Sequence, residues 1–318
     1  MLLSTSAVSV FAQSALVATL SHEGEITAFY GASALQQAHE AATHGDVITL
    51  SSGTFNATYI TKAITLRGAG MELDSINNIA PTILLNDFHI IIPNNVSEKL
   101  IMEGIYHNGR IDVRGTLVNA QFMKCRFNQI LNYGADDGHL SNCSFVHCKI
   151  MNRLQLTSHG SYCELTNCYA CVCIDNANHS SSMRMTNCVL KHAAGYWSGM
   201  YTLTFVNSVI IGKKDYRDGV PSTKFNCVEV NMGNNPKYQY DDIFKDFTGT
   251  YTDAITFELT DEAKATFLGT DGTQVGIYGG RMPYSPITNN PRITKCDVAA
   301  KSTADGKLSV DLEVSGAE

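Results

Sequence analysis

The chain has 318 residues, 44% apolar and 17% charged, enough to bury a full core, which excludes a disordered tail, a collagen-like chain and a small disulfide-stapled module. The charged share is well below the roughly 25% of an average soluble domain, with Asn, Thr and Ser in its place, a bias that favours β structure. Lys plus Arg at 23 against Asp plus Glu at 30 gives a net charge of -7, which argues against nucleic acid as a partner.

Leu2 to Ala12 is apolar or small throughout, and Val10-Phe11-Ala12 ahead of Gln13 fits a small-residue cleavage site. Residues 1–12 therefore read as a secretory signal and 13–32 as a lead-in, which places the protein outside the cell or on its outer surface. The competing reading is an apolar N-terminal strand, because no Lys or Arg precedes Lys62. No run approaches the roughly 18 apolar residues of a transmembrane span. The first cysteine is Cys125, so a lipid-bearing Cys near the N-terminus is also absent.

Ser33-Ala-Leu35-Gln36, followed by Ala38, Ala41 and Ala42 and closed by Gly45, predicts a short amphipathic helix opened by a capping box. Asp46–Leu50, Gly53–Phe55 and Ile64–Gly70 follow as short strands. Ile83–Leu85, His89–Ile92, Leu100–Ile101 and Ile111–Val113 continue the strand-rich pattern, with Gly, Asn and Pro between them.

The strongest signal begins at Cys125. Leu140-Ser-Asn142-Cys143-Ser-Phe145, Leu165-Thr-Asn167-Cys168-Tyr-Ala170, Met185-Thr-Asn187-Cys188-Val-Leu190 and Phe205-Val-Asn207-Ser208-Val-Ile210 align with one another. Weaker copies stand at Phe122-Met-Lys124-Cys125-Arg-Phe127 and Phe225-Asn226-Cys227. From Cys125 through Cys143, Cys168, Cys188 and Ser208 to Cys227 the intervals are 18, 25, 20, 20 and 19 residues. The apolar residue three before Cys cannot share a face with it on one straight strand, so the chain must bend between them. Asn supplies the bend, since it tolerates the left-handed region best among non-glycine residues. Residues at minus three, zero and plus two then point inward, with Cys stacked on Cys as a small soft hydrophobe and Asn laddered on Asn.

A coil of about 20 residues with short strands and an Asn bend is a parallel β-solenoid coil. These residues resemble the right-handed parallel β-helix family of pectate-lyase-like enzymes and bacterial surface proteins, and 33–290 is expected to form one such all-β solenoid under an N-terminal capping helix. Phe257–Leu259 and Gly269–Gly280 look like the closing coil of secreted β-helix proteins of Bacteroidetes. The tail from 291 to 318, with Asp305-Gly306 ahead of Leu308–Val314, reads as a turn and one strand.

Candidate chemistry is sparse. Cys163, Cys168, Cys171 and Cys173 are close enough to suggest a zinc cluster, but alternation splays them, and the paired spacing of a zinc ribbon is missing; no metal or other cofactor is expected. No Gly-x-Ser-x-Gly elbow, His-Glu-x-x-His or Walker loop occurs. A β-helix enzyme acting on acidic glycans would need a base and cations for the uronate, with Ca²⁺ possible if it were a lyase. His147, Lys149 and Arg153 on one coil offer such a set, as do Tyr106, His107, Arg110 and Arg114 earlier and Asp136-Asp137 in a loop. Chance basic groups on a solenoid surface are the plainer account. Eight residues past the core position stand Tyr133, Tyr196 and Tyr216, with Trp197 beside the second. Such a column can hold sugar rings or merely shield a sheet edge. The resemblance implies surface display, adhesion or glycan contact without catalysis as the leading reading, and a polysaccharide lyase or hydrolase as the alternative.

Overall fold

The computed structural model describes residues 16–132, 139–156, 161–174, 181–192, 201–212, 222–231, 236–252, 254–288, 292–298 and 310–315. From Val47 to Val230 the chain winds as a parallel β-solenoid with two long walls, one sheet of eleven strands and one of ten, and a short third pairing between Thr116–Val118 and His139–Ser141. The lead-in is itself structured. β1 (Val17–His22) and β2 (Glu25–Tyr30) form an antiparallel hairpin, and β1 also pairs antiparallel with β3 (Val47–Leu50). The turn between them, Glu23-Gly24, has both residues at positive φ, as a two-residue hairpin turn requires. Beside them lies α1 (Ala34–Ala41), whose Ala34, Leu35 and Ala38 are buried. The expected capping box does not form there, for Ser33 makes no side-chain cap bond.

Inward columns run coil over coil. In the eleven-stranded wall Met102, Phe122, Phe145, Leu165, Met185 and Phe205 stand in register, and Phe122 stacks on Phe145 at 4.8 Å. In the ten-stranded wall Leu84, His107, Phe127, Ile150, Ala170, Leu190 and Ile210 do the same. Each large apolar side chain buried this way contributes about 1.5–3 kcal/mol. The last coil breaks the pattern. Lys224 stands opposite Phe205 and Glu229 opposite Ile210, and the two form an ion pair across the end of the core. Inward charges at a terminal coil oppose the addition of further strands.

The bend between the walls is left-handed as expected: Lys124, His147, Asn167, Asn187, Asn207 and Asn226 all have φ between 48° and 53°. The registration of the repeat needs one correction. Cys143 pairs with Cys163, not with the corner cysteines, and the corner position of that coil is His147-Cys148. Asn142-Cys143 belongs to an earlier bend, stacked on Asn119-Ala120. The true column is Cys125, Cys148, Cys168, Cys188, Ser208 and Cys227. There Cys168 Sγ donates to Thr166 O and Phe145 O and accepts from Cys148 N at 3.3 Å. Ser208 Oγ donates to Val206 O and accepts from Cys188 N at 3.0 Å. The column selects a small side chain that both donates and accepts, so Cys and Ser interchange. Burial pushes the thiols of Cys125, Cys148 and Cys168 up, which keeps them protonated and unreactive.

The corner asparagines do not ladder on one another. Among the described residues, it is Asn142, in the other bend, that bonds its stacked neighbour, Asn119, at 2.7 Å. Asn167, Asn187 and Asn207 instead meet the C-terminal segment, which runs back along the corner as a strap. Asn207 bonds Thr270 in both directions. Asn167 Nδ2 donates to Ile277 O and Gly279 O at 2.8 and 2.7 Å. Gly280, at φ +81°, packs against the Asn187 amide where a Cβ would collide. Further on, His147 Nε2 donates to Met282 O at 3.1 Å and Lys124 Nζ to Ile287 O at 2.6 Å. Thr288, fully buried, ends the strap against Gly104. The same segment lays Phe244, Phe247 and Phe257 over the outer face of the ten-stranded wall at Tyr169, Val189, Val209 and Val228, forming a second hydrophobic core. In the tail, Arg292–Val298 pairs antiparallel with Val310–Ser315, two strands where one was expected; the predicted Asp305-Gly306 turn lies outside the described residues.

Candidate functional site

The structure brings His147 and Lys149 together beneath the strap. Lys149 is 4% exposed and its Nζ lies 2.7 Å from Glu72 Oε1, with the Tyr284 ring 5.6 Å away. The His147 ring lies 6.0 Å from Tyr284. Burial pushes the His147 pKa down, so the ring is neutral near pH 7 and serves as a donor to the strap. Both side chains therefore secure packing. Arg153 is apart from them, in register with Gln129 and through it with Arg110.

Of the earlier candidates, His107 points into the solenoid interior, fully buried, where its Nδ1 donates to Leu84 O at 3.0 Å. Tyr106 lies under the Arg126 guanidinium at 4.6 Å. Arg110 and Arg114 join a polar group on the outer face of the ten-stranded wall. Here alternation within Phe88-His89-Ile90 and Ile111-Asp112-Val113 turns His89 and Asp112 outward while their neighbours enter the core. Strand pairing sets His89 directly beside Asp112.

Asp112 is 5% exposed, with Arg110 Nε at 3.0 Å from one oxygen and His89 Nδ1 at 3.4 Å from the other. The Arg110 contact is an ion pair rather than an aligned hydrogen bond, and the His89 contact is longer than an aligned hydrogen bond. Arg114 Nη2 approaches His89 Nε2 at 3.2 Å, which makes Nε2 the acceptor and places the ring proton on Nδ1, toward Asp112. Asp87 adds a second carboxylate, accepting from Arg110 N at 2.7 Å. The Tyr59 ring, 54% exposed, meets the His89 ring edge-on at 4.5 Å. Two guanidinium groups, two carboxylates, an oriented imidazole and an exposed aromatic ring thus share one surface, a set able to bond hydroxyls and support the apolar face of a sugar.

Neither protein-family models, nor curated proteins, nor solved structures match this chain. The site must be read from its own chemistry. Tyr133, Tyr196, Trp197 and Tyr216 lie outside the described residues, as do Asp136 and Asp137. Sequence reasoning missed Tyr59, Asp87, His89 and Asp112; the available signal was a polar residue alternating within an apolar strand. Of the suggested zinc set, Cys163 points inward against Cys143, Cys168 stands in the corner column and Cys171 faces outward, while the Cys173 side chain lies outside the described residues. No group of three metal-ligating side chains converges among the described residues.

Proposed function

We propose that this chain is an exported β-helix protein of the pectate-lyase-like kind that contacts glycans at a cell surface. The observation that carries the reading is the group around Asp112, where an exposed Tyr59 ring adjoins His89, Arg110 and Arg114 on the outer face of the ten-stranded wall. Export is supported by the Leu2–Ala12 pattern, and no helix among the described residues is long and apolar enough to cross a membrane. Retention of the protein on immobilised neutral and acidic polysaccharides, lost in Tyr59→Ala and Arg114→Ala with folding intact, tests it. Retention unchanged in both variants would overturn it.

A second reading, cleavage of an acidic polysaccharide, is favoured by one feature: two carboxylates and an oriented histidine beside two arginines. Release of unsaturated or reducing-end products from the same panel, abolished in His89→Ala, would place it first.

A further inference from the structure

The C-terminal segment carries a concave site at the margin of the second core, lined by none of the strap residues 269–288. Between α2 (Tyr240–Ile243) and α3 (Asp261–Thr266) opens a cleft of about 320 Å³. Its floor is the buried Ile243 and Ala263; its walls are Tyr238 and Phe267, which meet edge to face at 5.2 Å. Lys237, Asp242 and Glu262 form the rim. The frame is fixed. Thr260 caps α3 by accepting from Ala263 N, and ties it to α2 through Thr260 N to Ile243 O at 2.9 Å and Thr260 Oγ1 to Asp242 O at 3.2 Å. Asp242 is held by accepting from Gln239 N at 2.7 Å.

The charges divide sharply between the cleft and its surroundings. Next to it, Lys245 and Lys264 are both engaged with Glu258 and Asp261. At the cleft, Asp242 and Glu262 have no ion pair among the described residues, and the Lys237 ammonium lies over the Tyr238 ring at 4.9 Å. Two carboxylates against one ammonium leave excess negative charge beside two aromatic rings. Such a site accepts hydrogen bonds from hydroxyls, attracts an ammonium, repels a carboxylate, and packs the apolar face of a ring.

We propose that this cleft binds a single pyranose residue, an amino sugar in preference to a neutral sugar and a neutral sugar in preference to a uronate. The proposal shares only the ligand class with the glycan reading above; its residues are separate, so each can fail alone. The test is titration of the full chain with glucosamine, glucose, glucuronate and n-butylammonium, followed by NMR at the Tyr238 and Phe267 amides. Glucosamine should saturate, glucose should bind several-fold more weakly, and glucuronate should not saturate. Glu262→Gln, at an exposed position, should weaken glucosamine about fivefold, the equivalent of about 1 kcal/mol for one exposed charge pair, and glucose less than twofold. Tyr59→Ala should leave all four titrations unchanged. Absence of saturable shifts with both glucosamine and glucose, glucuronate binding equal to glucosamine, or n-butylammonium matching glucosamine would each overturn the proposal.

Discussion

Asn167 performs two tasks that substitution can separate. Its backbone takes the left-handed bend at φ 49°, and its Nδ2 holds two strap carbonyls, Ile277 O and Gly279 O. Glycine adopts that φ without a Cβ clash, so Asn167→Gly removes the hook and keeps the bend. A net hydrogen bond is worth about 1 kcal/mol, and a buried acceptor left unsatisfied costs about 1–3 kcal/mol. Losing both bonds should therefore destabilise the chain by about 2–4 kcal/mol. Asn167→Ala adds the left-handed penalty of about 1–2 kcal/mol, giving the order wild type, Gly, Ala. Asn142→Gly is the control. Asn142 shares the φ, at 55°, but is exposed and its amide bonds Asn119 alone among the described residues, so its loss should cost no more than about 1 kcal/mol. Urea unfolding gives the energies, and limited proteolysis between residues 269 and 288 reports release of the strap. If Asn167→Gly is as stable and as protease-resistant as the wild type, the side chain serves only the bend and the hook reasoning fails.

Three other outcomes follow from the same geometry. Burial pushes His107 and His147 down and His39 to about 4, so the unfolded chain takes up protons more readily than the folded one. Stability should be complete above about pH 6.5 and fall progressively toward pH 4, read as a declining urea midpoint, whereas a flat midpoint across that window would contradict the buried, neutral assignment. Cys168→Ser keeps a donor and acceptor in the corner column and should change stability by less than about 1 kcal/mol, while Cys168→Val orphans Cys148 N and should cost about 1–3 kcal/mol in the same assay. Replacing the inward pair at the last coil, Lys224→Leu with Glu229→Leu, exposes an apolar solenoid end and should produce concentration-dependent self-association by light scattering; a double variant no more associated than the wild type would remove the end-plug role.

The inward triplet and the left-handed corner were legible because each is written in residue type: Asn tolerates that φ best among non-glycine residues, and an apolar, small, apolar spacing at minus three, zero and plus two has no straight-strand solution. The registration of Cys143 was not, because Asn-Cys occurs at two different bends with the same local chemistry. The odd intervals of 18 and 25 were the trace of that error, and they become 23 and 20 once Cys148 takes the place of Cys143. The strap left no periodic mark, since the corner side chains bind its backbone carbonyls, which any sequence supplies. Lys124 was visible only as an exception to Asn in a weaker copy, and His147 read as a candidate base, whereas both reach strap carbonyls. The group around Asp112 joins three segments, at residue 59, residues 87–89 and residues 110–114, and only coil stacking shows that they meet.

The strap is an integral part of the solenoid, held by its corner. Hydrogen exchange at the strap amides measures this directly. Gly276 N donates to Asn207 O, Gly280 N to Thr273 Oγ1 and Tyr284 N to Ile277 O. These amides should exchange as slowly as those of the corner strands and open with them in one cooperative step. Rapid exchange across residues 276–284 while the corner strands remain protected would contradict the account.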